Sequence, residues 1–400
     1  MPEQNLPKIL YISDVPVELS SAGATLLYRL LEHYPKDKLV IMQGVGVNKD
    51  QPRIPGVEYH IVKSPLERLR YTRFAKYLKG LFLAAEIIGS SKARKMIRTY
   101  KPDLILTVSI RLMWVHAYRL SKQCNIPLFL ILHDDWLTSE DHGKWQKYLV
   151  NTFGKMYKHS QERFCISPTM EKYYFDLFGV HGKVIYPSRG KGDLVLPLHT
   201  EKRQSKTRLK YCYAGSLFTG DFAPMLDQVS YFIGKQHGEL HVFSYWNKEL
   251  LSKYPNLNAD HVTFHPFMHA TSLMKKMNEE MDVAILLNSF LYELPFRYNF
   301  SSKLVDYVSA GLPVFFWGPA SSGSILWALE HGYDAVVVSE DSAQVANMLS
   351  MFLQEEKRFA WANRIRELGV KEFSYEQNHE TFIHAIIGSN DNPMQHVIEN

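Results

Sequence analysis

The sequence predicts an α/β protein made of two doubly wound parallel-sheet domains in succession. Three observations carry this. Apolar runs of strand length alternate with helix-period stretches from end to end, the signature of a parallel sheet covered on both faces. The alternation lapses once, in a Pro-, Gly- and Lys-rich stretch. And 400 residues suffice for two cores.

In order, the first strand is Lys8–Ser13, followed by a loop and a helix with Leu26, Leu27, Leu30 and Leu31 at helical spacing. Strands at Leu39–Gln43, Val57–Val62, Leu104–Ser109, Pro127–Leu132, Arg163–Ser167 and Lys183–Tyr186 complete an N-terminal domain, residues 1–187. Residues 188–208 read as a linker. Alternation resumes at Leu209–Ala214, Leu240–Tyr245, Val262–Phe267, Val283–Leu287, Val314–Trp317 and Ala335–Val338, giving a C-terminal domain over 209–371. A closing helix, 372–390, has no strand after it and is expected to cross back onto the first domain.

Composition narrows the class. With 46% hydrophobic and 22% charged residues the chain is an ordinary globular protein. A net charge of +5 is mild for this size, and no nucleic-acid-binding motif accompanies it. Cys124, Cys165 and Cys212 are scattered, without metal or disulfide spacing, and fit a reducing compartment. A strand within the first ten residues leaves no room for a signal peptide, so a cytoplasmic location is expected. Residues 63–101 are strongly basic with interleaved apolar residues. That pattern suits either peripheral contact with an anionic membrane, at its inner face, or a solvated face of a helical hairpin.

In open parallel sheets, ligands bind beyond the carboxyl ends of the strands. The chemistry is therefore sought there. Ser301 or Ser302 can cap a helix starting at Lys303, and Gly311 with Pro313 ends it. On a 100° wheel Leu304, Val305, Tyr307 and Val308 form an apolar arc, with Lys303, Asp306 and Ala310 opposite. Lys303 and Asp306 side by side suit a phosphate with a sugar hydroxyl beside it; they equally suit an i,i+3 salt bridge. His133 and Asp134 follow a fully apolar strand, where an imidazole can meet a sugar hydroxyl or move a proton. Asp135 and Trp136 read as structural. Gly23 and the Gly215-Ser216 pair lie at strand–helix turns where backbone can approach an anion. In His265-Pro-Phe-Met-His269, Phe267 and Met268 can face a nucleobase or simply pack. No metal site is expected, since no ligand spacing accompanies these histidines.

The stretch Ser-Ser-Lys303-Leu-Val-Asp306-Tyr-Val-Ser-Ala-Gly311-Leu-Pro313-Val resembles the Pro-Ser-Lys-Leu-x-Glu-Tyr-x-x-x-Gly-x-Pro-Val signature of retaining GT-B glycosyltransferases, glycosyltransferase family four and its relatives. Leu-His133-Asp134, Ala214-Gly-Ser-Leu and Val262-Thr-Phe-His-Pro-Phe-Met resemble other strand ends of the same group, so the resemblance spans nearly the whole chain. It implies two Rossmann-like domains facing across a cleft. It implies transfer of a sugar from a nucleotide diphosphate sugar to a glycan or lipid-linked acceptor, with no cofactor and with retention. By the same resemblance Asp306 meets the ribose, and Lys303 with the amides of Ser301 and Ser302 meets the diphosphate. Gly23 lies against the diphosphate from the other domain, and His133 meets the sugar. The sequence departs from the family in using Asp306 for Glu and Tyr298 for a second Glu, whose sugar contact Glu293 or Asn299 would then supply. The usual basic pair after the Gly-rich strand end is missing, and Arg297 or Arg189 would replace it. The rival readings are an epimerase or hydrolase on the same fold, a non-catalytic partner protein, and a two-domain binding protein of the periplasmic sort.

Overall fold

A computed structural model describes residues 6–20, 22–44, 52–62, 72–73, 77–88, 90–139, 143–193, 195–198, 208–218, 221–266, 268, 270–291 and 297–388. The chain divides into two compact units, Met1–Tyr186 with Tyr375–Asn400, and Pro187–Ser374. Each contains one parallel sheet with helices between its strands.

The sheet of the first unit has strands β1 (Ile9–Ser13), β2 (Leu39–Gln43), β3 (Glu58–Ile61), β4 (Leu104–Val108), β5 (Leu128–Leu132), β6 (Glu162–Cys165) and β7 (Lys183–Val184). Their order is β3-β2-β1-β4-β5-β6-β7, every pairing parallel. Strands β1, β2, β4 and β5 are buried at every residue, which is why they read as unbroken apolar runs rather than alternating ones. At the sheet margin β3 keeps Glu58 exposed and its other residues half-buried. Ser167, expected at a strand end, instead caps the helix Pro168–Phe178, its hydroxyl accepting from Met170 N at 3.0 Å.

The last helix, Tyr375–Gly388, belongs to this first unit. Phe382, Ile383, Ala385 and Ile386 are buried in one core with Leu30, Leu31 and Phe164. The Phe164 and Phe382 rings lie 5.4 Å apart. The backbone N–H of Tyr186 donates to Asn378 Oδ1 at 2.7 Å, which ties the end of the unit's first segment to that helix.

The second unit's sheet has β8 (Lys210–Ala214), β9 (Glu239–Phe243), β10 (Val262–His265), β11 (Val283–Leu287), β12 (Val314–Trp317) and β13 (Val336–Val337). Their order is β10-β9-β8-β11-β12-β13, again all parallel. The segment 195–198, expected within a linker, packs onto this unit: Leu196 N donates to Ser309 O at 2.9 Å, and Leu198 is buried.

Both strand orders reverse direction once, at β1/β4 and at β8/β11. Crossovers to one side lie on one face and those to the other side on the opposite face. A crevice therefore opens at the carboxyl ends of these two strand pairs, where doubly wound sheets bind ligands. Among the described residues no helix is long and apolar enough to cross a membrane.

Candidate functional site

In the second unit, the helix Lys303–Ser309 runs beneath the β8/β11 crevice and ends at Gly311. Gly311 has φ +69°, its N–H donates to Val308 O at 3.0 Å, and Leu312 N donates to Tyr307 O at 3.2 Å. This double closure satisfies the helix's last carbonyls and needs a left-handed residue, which glycine supplies at low cost. Tyr307, buried completely, receives Ala214 N at 2.9 Å and reaches Ile285 O at 3.2 Å. Its hydroxyl thus bridges the two strands where they begin to diverge.

Lys303 opens the helix. Its ammonium lies 4.7 Å over the Tyr213 ring and 5.5 Å from the Phe222 ring, and donates to the Tyr213 hydroxyl at 3.3 Å. Gly215, at φ +145°, permits this: a Cβ there would overlap Cε and Nζ of Lys303. The lysine is therefore directed to the Gly215 backbone at the end of β8, and not to Asp306. Burial lowers its pKa to about 8. A cation held by two aromatic faces and one neutral hydroxyl keeps most of its capacity for an incoming anion.

The remaining sequence-derived candidates distribute as follows. Ser302 is the N-cap residue, but its φ and ψ of −62° and −20° are already helical and its side chain makes no capping bond. The Ser301 amide, expected on the diphosphate, is instead used within the fold, its N–H donating to Ser324 Oγ at 2.8 Å. Asp306 is half-buried in the first turn. Ala310, expected on the solvated face, is fully buried, because residues 195–198 cover that side and Asn278 Nδ2 donates to its carbonyl. Ser216 is exposed, its hydroxyl taking Phe218 N in a turn. Arg297 is exposed and lies 5.6 Å over the half-buried Tyr298 ring. Asn299 and Met268 are half-buried. Arg189 is committed elsewhere: its N–H and guanidinium donate to Phe373 O and Val370 O, both at 3.1 Å. Phe267 and Glu293 lie outside the described residues.

In the first unit, β5 delivers His133 at its carboxyl end. The imidazole is 4% exposed, and neither Nδ1 nor Nε2 has a hydrogen-bond partner. Burial lowers its pKa to about 4, so it is neutral at pH 7 and can both donate and accept. Gly23, in the first turn of the helix Ala22–Leu31, packs directly on this ring. Asp134 is exposed at the rim, while partial desolvation and then the Asp135 charge raise its pKa. Asp135 and Trp136, read as structural, are both hydrogen-bonded within the fold. Asp135 accepts from Leu137 N, Thr138 Oγ1 and Tyr174 OH, and Trp136 donates to Arg111 O.

Sequence reasoning missed Asp14, immediately after β1. Its Oδ2 accepts from Leu112 N at 3.2 Å and Met113 N at 2.9 Å, so it neutralises the start of the helix Met113–Cys124. Its position beside a strand end was the available signal. Among the described residues no group of three or more His, Cys, Asp or Glu could hold a metal ion.

Two such sheets, each reversing at one point, match solved structures over almost their full length. HepE from Anabaena, in complex with UDP and glucose, superposes with a TM-score of 0.67 at 14% identity, covering 95% of this chain and 99% of that one. An alpha,alpha-trehalose-phosphate synthase (UDP-forming) from Burkholderia vietnamiensis gives 0.65 at 12% identity, over 95% and 100%. Trehalose-6-phosphate from E. coli, bound with UDP-2-fluoro glucose, gives 0.65 at 13% identity, over 95% and 99%. The chain has the GT-B fold. Residues 47–188 of this GT-B chain also match the family described as Glycosyltransferase Family 4. The expected GT-B fold is borne out by the structural matches. No curated protein matches the chain.

Proposed function

We propose that this GT-B protein is a glycosyltransferase that takes a hexose from a nucleoside diphosphate hexose and passes it to an acceptor. The observation that carries the reading is Lys303, an ammonium poised over Gly215 at the switch point of the second sheet. As the glycosidic bond breaks, negative charge grows on the departing diphosphate, and a preorganised cation there favours the transition state over the ground state. In this reading Asp306 accepts from the ribose hydroxyls, and the amide of Ser302 borders the diphosphate, the Ser301 amide being engaged by Ser324. His133, neutral and without a hydrogen-bond partner in a buried position, bonds a hydroxyl of the transferred sugar. Retention of configuration follows from the resemblance alone. Similar structures hold UDP with glucose and UDP-2-fluoro glucose, which makes UDP-hexoses the first donors to try.

The acceptor in this reading is a glycan or lipid-linked glycan on the cytoplasmic side. One feature favours a membrane-associated acceptor. The helix Ser91–Tyr100 buries Ala93 and Ile97 and turns Lys92, Arg94, Lys95 and Arg98 to solvent with no acidic residue among them. Sedimentation with anionic vesicles at low salt, lost when the four are reversed in charge, would support docking. Residues 63–71 and 74–76 of the basic segment lie outside the described residues.

The deciding experiment is thermal unfolding with UDP, GDP, ADP and dTDP and their hexose conjugates. A bound nucleotide raises the midpoint according to RT ln(1 + [L]/Kd). One series should protect the native protein and not Lys303→Ala. Protection by none of them would refute the donor reading.

A further inference from the structure

Two buried oxygen atoms in the segments that follow β8 and β11 have no hydrogen-bond partner. Asp221 precedes the helix Phe222–Lys235 and is 7% exposed, and Asn288 follows β11 directly and is 6% exposed. Asp221 Oδ2 accepts from Phe290 N at 3.2 Å, which ties the loop after β8 to the loop after β11. Its other oxygen, Oδ1, makes no hydrogen bond, and neither does Asn288 Oδ1. Asn288 is also held in place, because the Gly318 backbone presses on it: a Cβ at 318 would stand 2.6 Å from Asn288 Cβ. Phe222, the residue after Asp221, is one of the two rings beneath Lys303.

Leaving a buried acceptor unpaired is costly unless a ligand satisfies it. A phosphate cannot do so, since it brings only acceptors and negative charge. A group rich in O–H donors can. We propose that Asp221 and Asn288 read hydroxyls of the transferred sugar, and that the buried Asp221 carboxylate restricts the donor to neutral hexoses, excluding uronic acids by like-charge repulsion. The proposal rests on the donor reading above and adds the part of the donor that Lys303 does not address. It also supplies a carboxylate for the sugar in a chain that has Tyr298 where the related signature has a second Glu.

The test compares UDP, UDP-glucose and UDP-glucuronate by calorimetric titration and by turnover, for the native protein, Asp221→Asn and Asn288→Ala. Asp221→Asn keeps an oxygen for Phe290 N, so the loop tie and the melting temperature should persist. UDP affinity is expected to stay within about twofold in both variants, since the diphosphate is held elsewhere. The preference for UDP-glucose over UDP, and turnover of UDP-glucose, should fall about ten- to a hundredfold. Asp221→Asn should in addition gain affinity for UDP-glucuronate, a change that simple loosening of the fold would not produce. Native discrimination between the two sugars in both variants, with UDP binding intact, overturns the hydroxyl assignment alone. A native protein that binds neither UDP nor UDP-glucose overturns this assignment together with the donor reading.

Discussion

The ring of His133 lies against the α-carbon of Gly23. A Cβ at position 23 would stand 3.0 Å from Nδ1 and 3.6 Å from Cε1. The contact joins the end of β5 to the start of the first helix, and it sets how close the imidazole can lie to that helix.

Substitution at that glycine should therefore act through the histidine. Gly23→Val forces the ring to shift by a few tenths of an ångström or more, and displacement of a positioned group can reduce turnover on the order of a hundredfold. His133→Ala should lower turnover at least as much. Both should leave nucleoside diphosphate affinity within a few-fold of native, because the proposed contact is to the sugar. Paired measurement of kcat and UDP affinity decides it; native turnover in Gly23→Val would remove the positioning role.

Nucleotide affinity should depend on pH through Lys303. Burial lowers its pKa to about 8, and a bound diphosphate raises it again. Below pH 8 the lysine is protonated in both free and bound protein, so affinity is flat with respect to this group. Above pH 8 the free protein loses the proton that the complex retains, and affinity falls by up to tenfold per pH unit. Lys303→Arg, whose guanidinium stays charged, should flatten that limb. Titration calorimetry from pH 7 to about 9.5 gives the profile, and an unchanged affinity over that range would deny Lys303 its anion.

In the proposed function Asp306 accepts from the ribose hydroxyls. Charge-assisted bonds of this sort contribute roughly 1.5–3 kcal/mol, so Asp306→Ala should weaken UDP binding about ten- to a hundredfold. A 2′,3′-dideoxy nucleoside diphosphate should bind native and variant proteins alike. If the variant loses affinity equally for both nucleotides, the effect lies in the helix and not in a ribose contact.

Much of the fold was legible because it is buried on both faces. Leu39–Gln43, Val283–Leu287 and Val314–Trp317 form strands at the expected residues, and double burial is what made those runs uninterrupted. The marginal strands β7 and β13 are shorter than their apolar patterns, since each has one neighbour to pair with. The site was harder to read. A helical wheel places Lys303 beside Asp306 on an open face, but it cannot know that residues 195–198 pack against the Ser309–Gly311 end or that Gly215 clears a path toward β8. Asp221 and Asn288 carry no spacing signal at all. Polar residues beside strand ends look like turn formers until their unpaired oxygens are seen.

The helix Tyr375–Gly388 has a consequence for how the chain is made. Synthesis proceeds from the N-terminus, and domains generally fold as units as they emerge. The second unit is continuous and has all its residues once Ser374 is made. The first unit, though begun earlier, lacks Phe382, Ile383 and Ile386 until after the second unit is made. The unit started first is thus the one completed last. Until then the apolar surface around Leu30, Leu31 and Phe164 waits for its cover, so a chain stopped shortly after Ser374 should carry a folded second half and a first half dependent on chaperones.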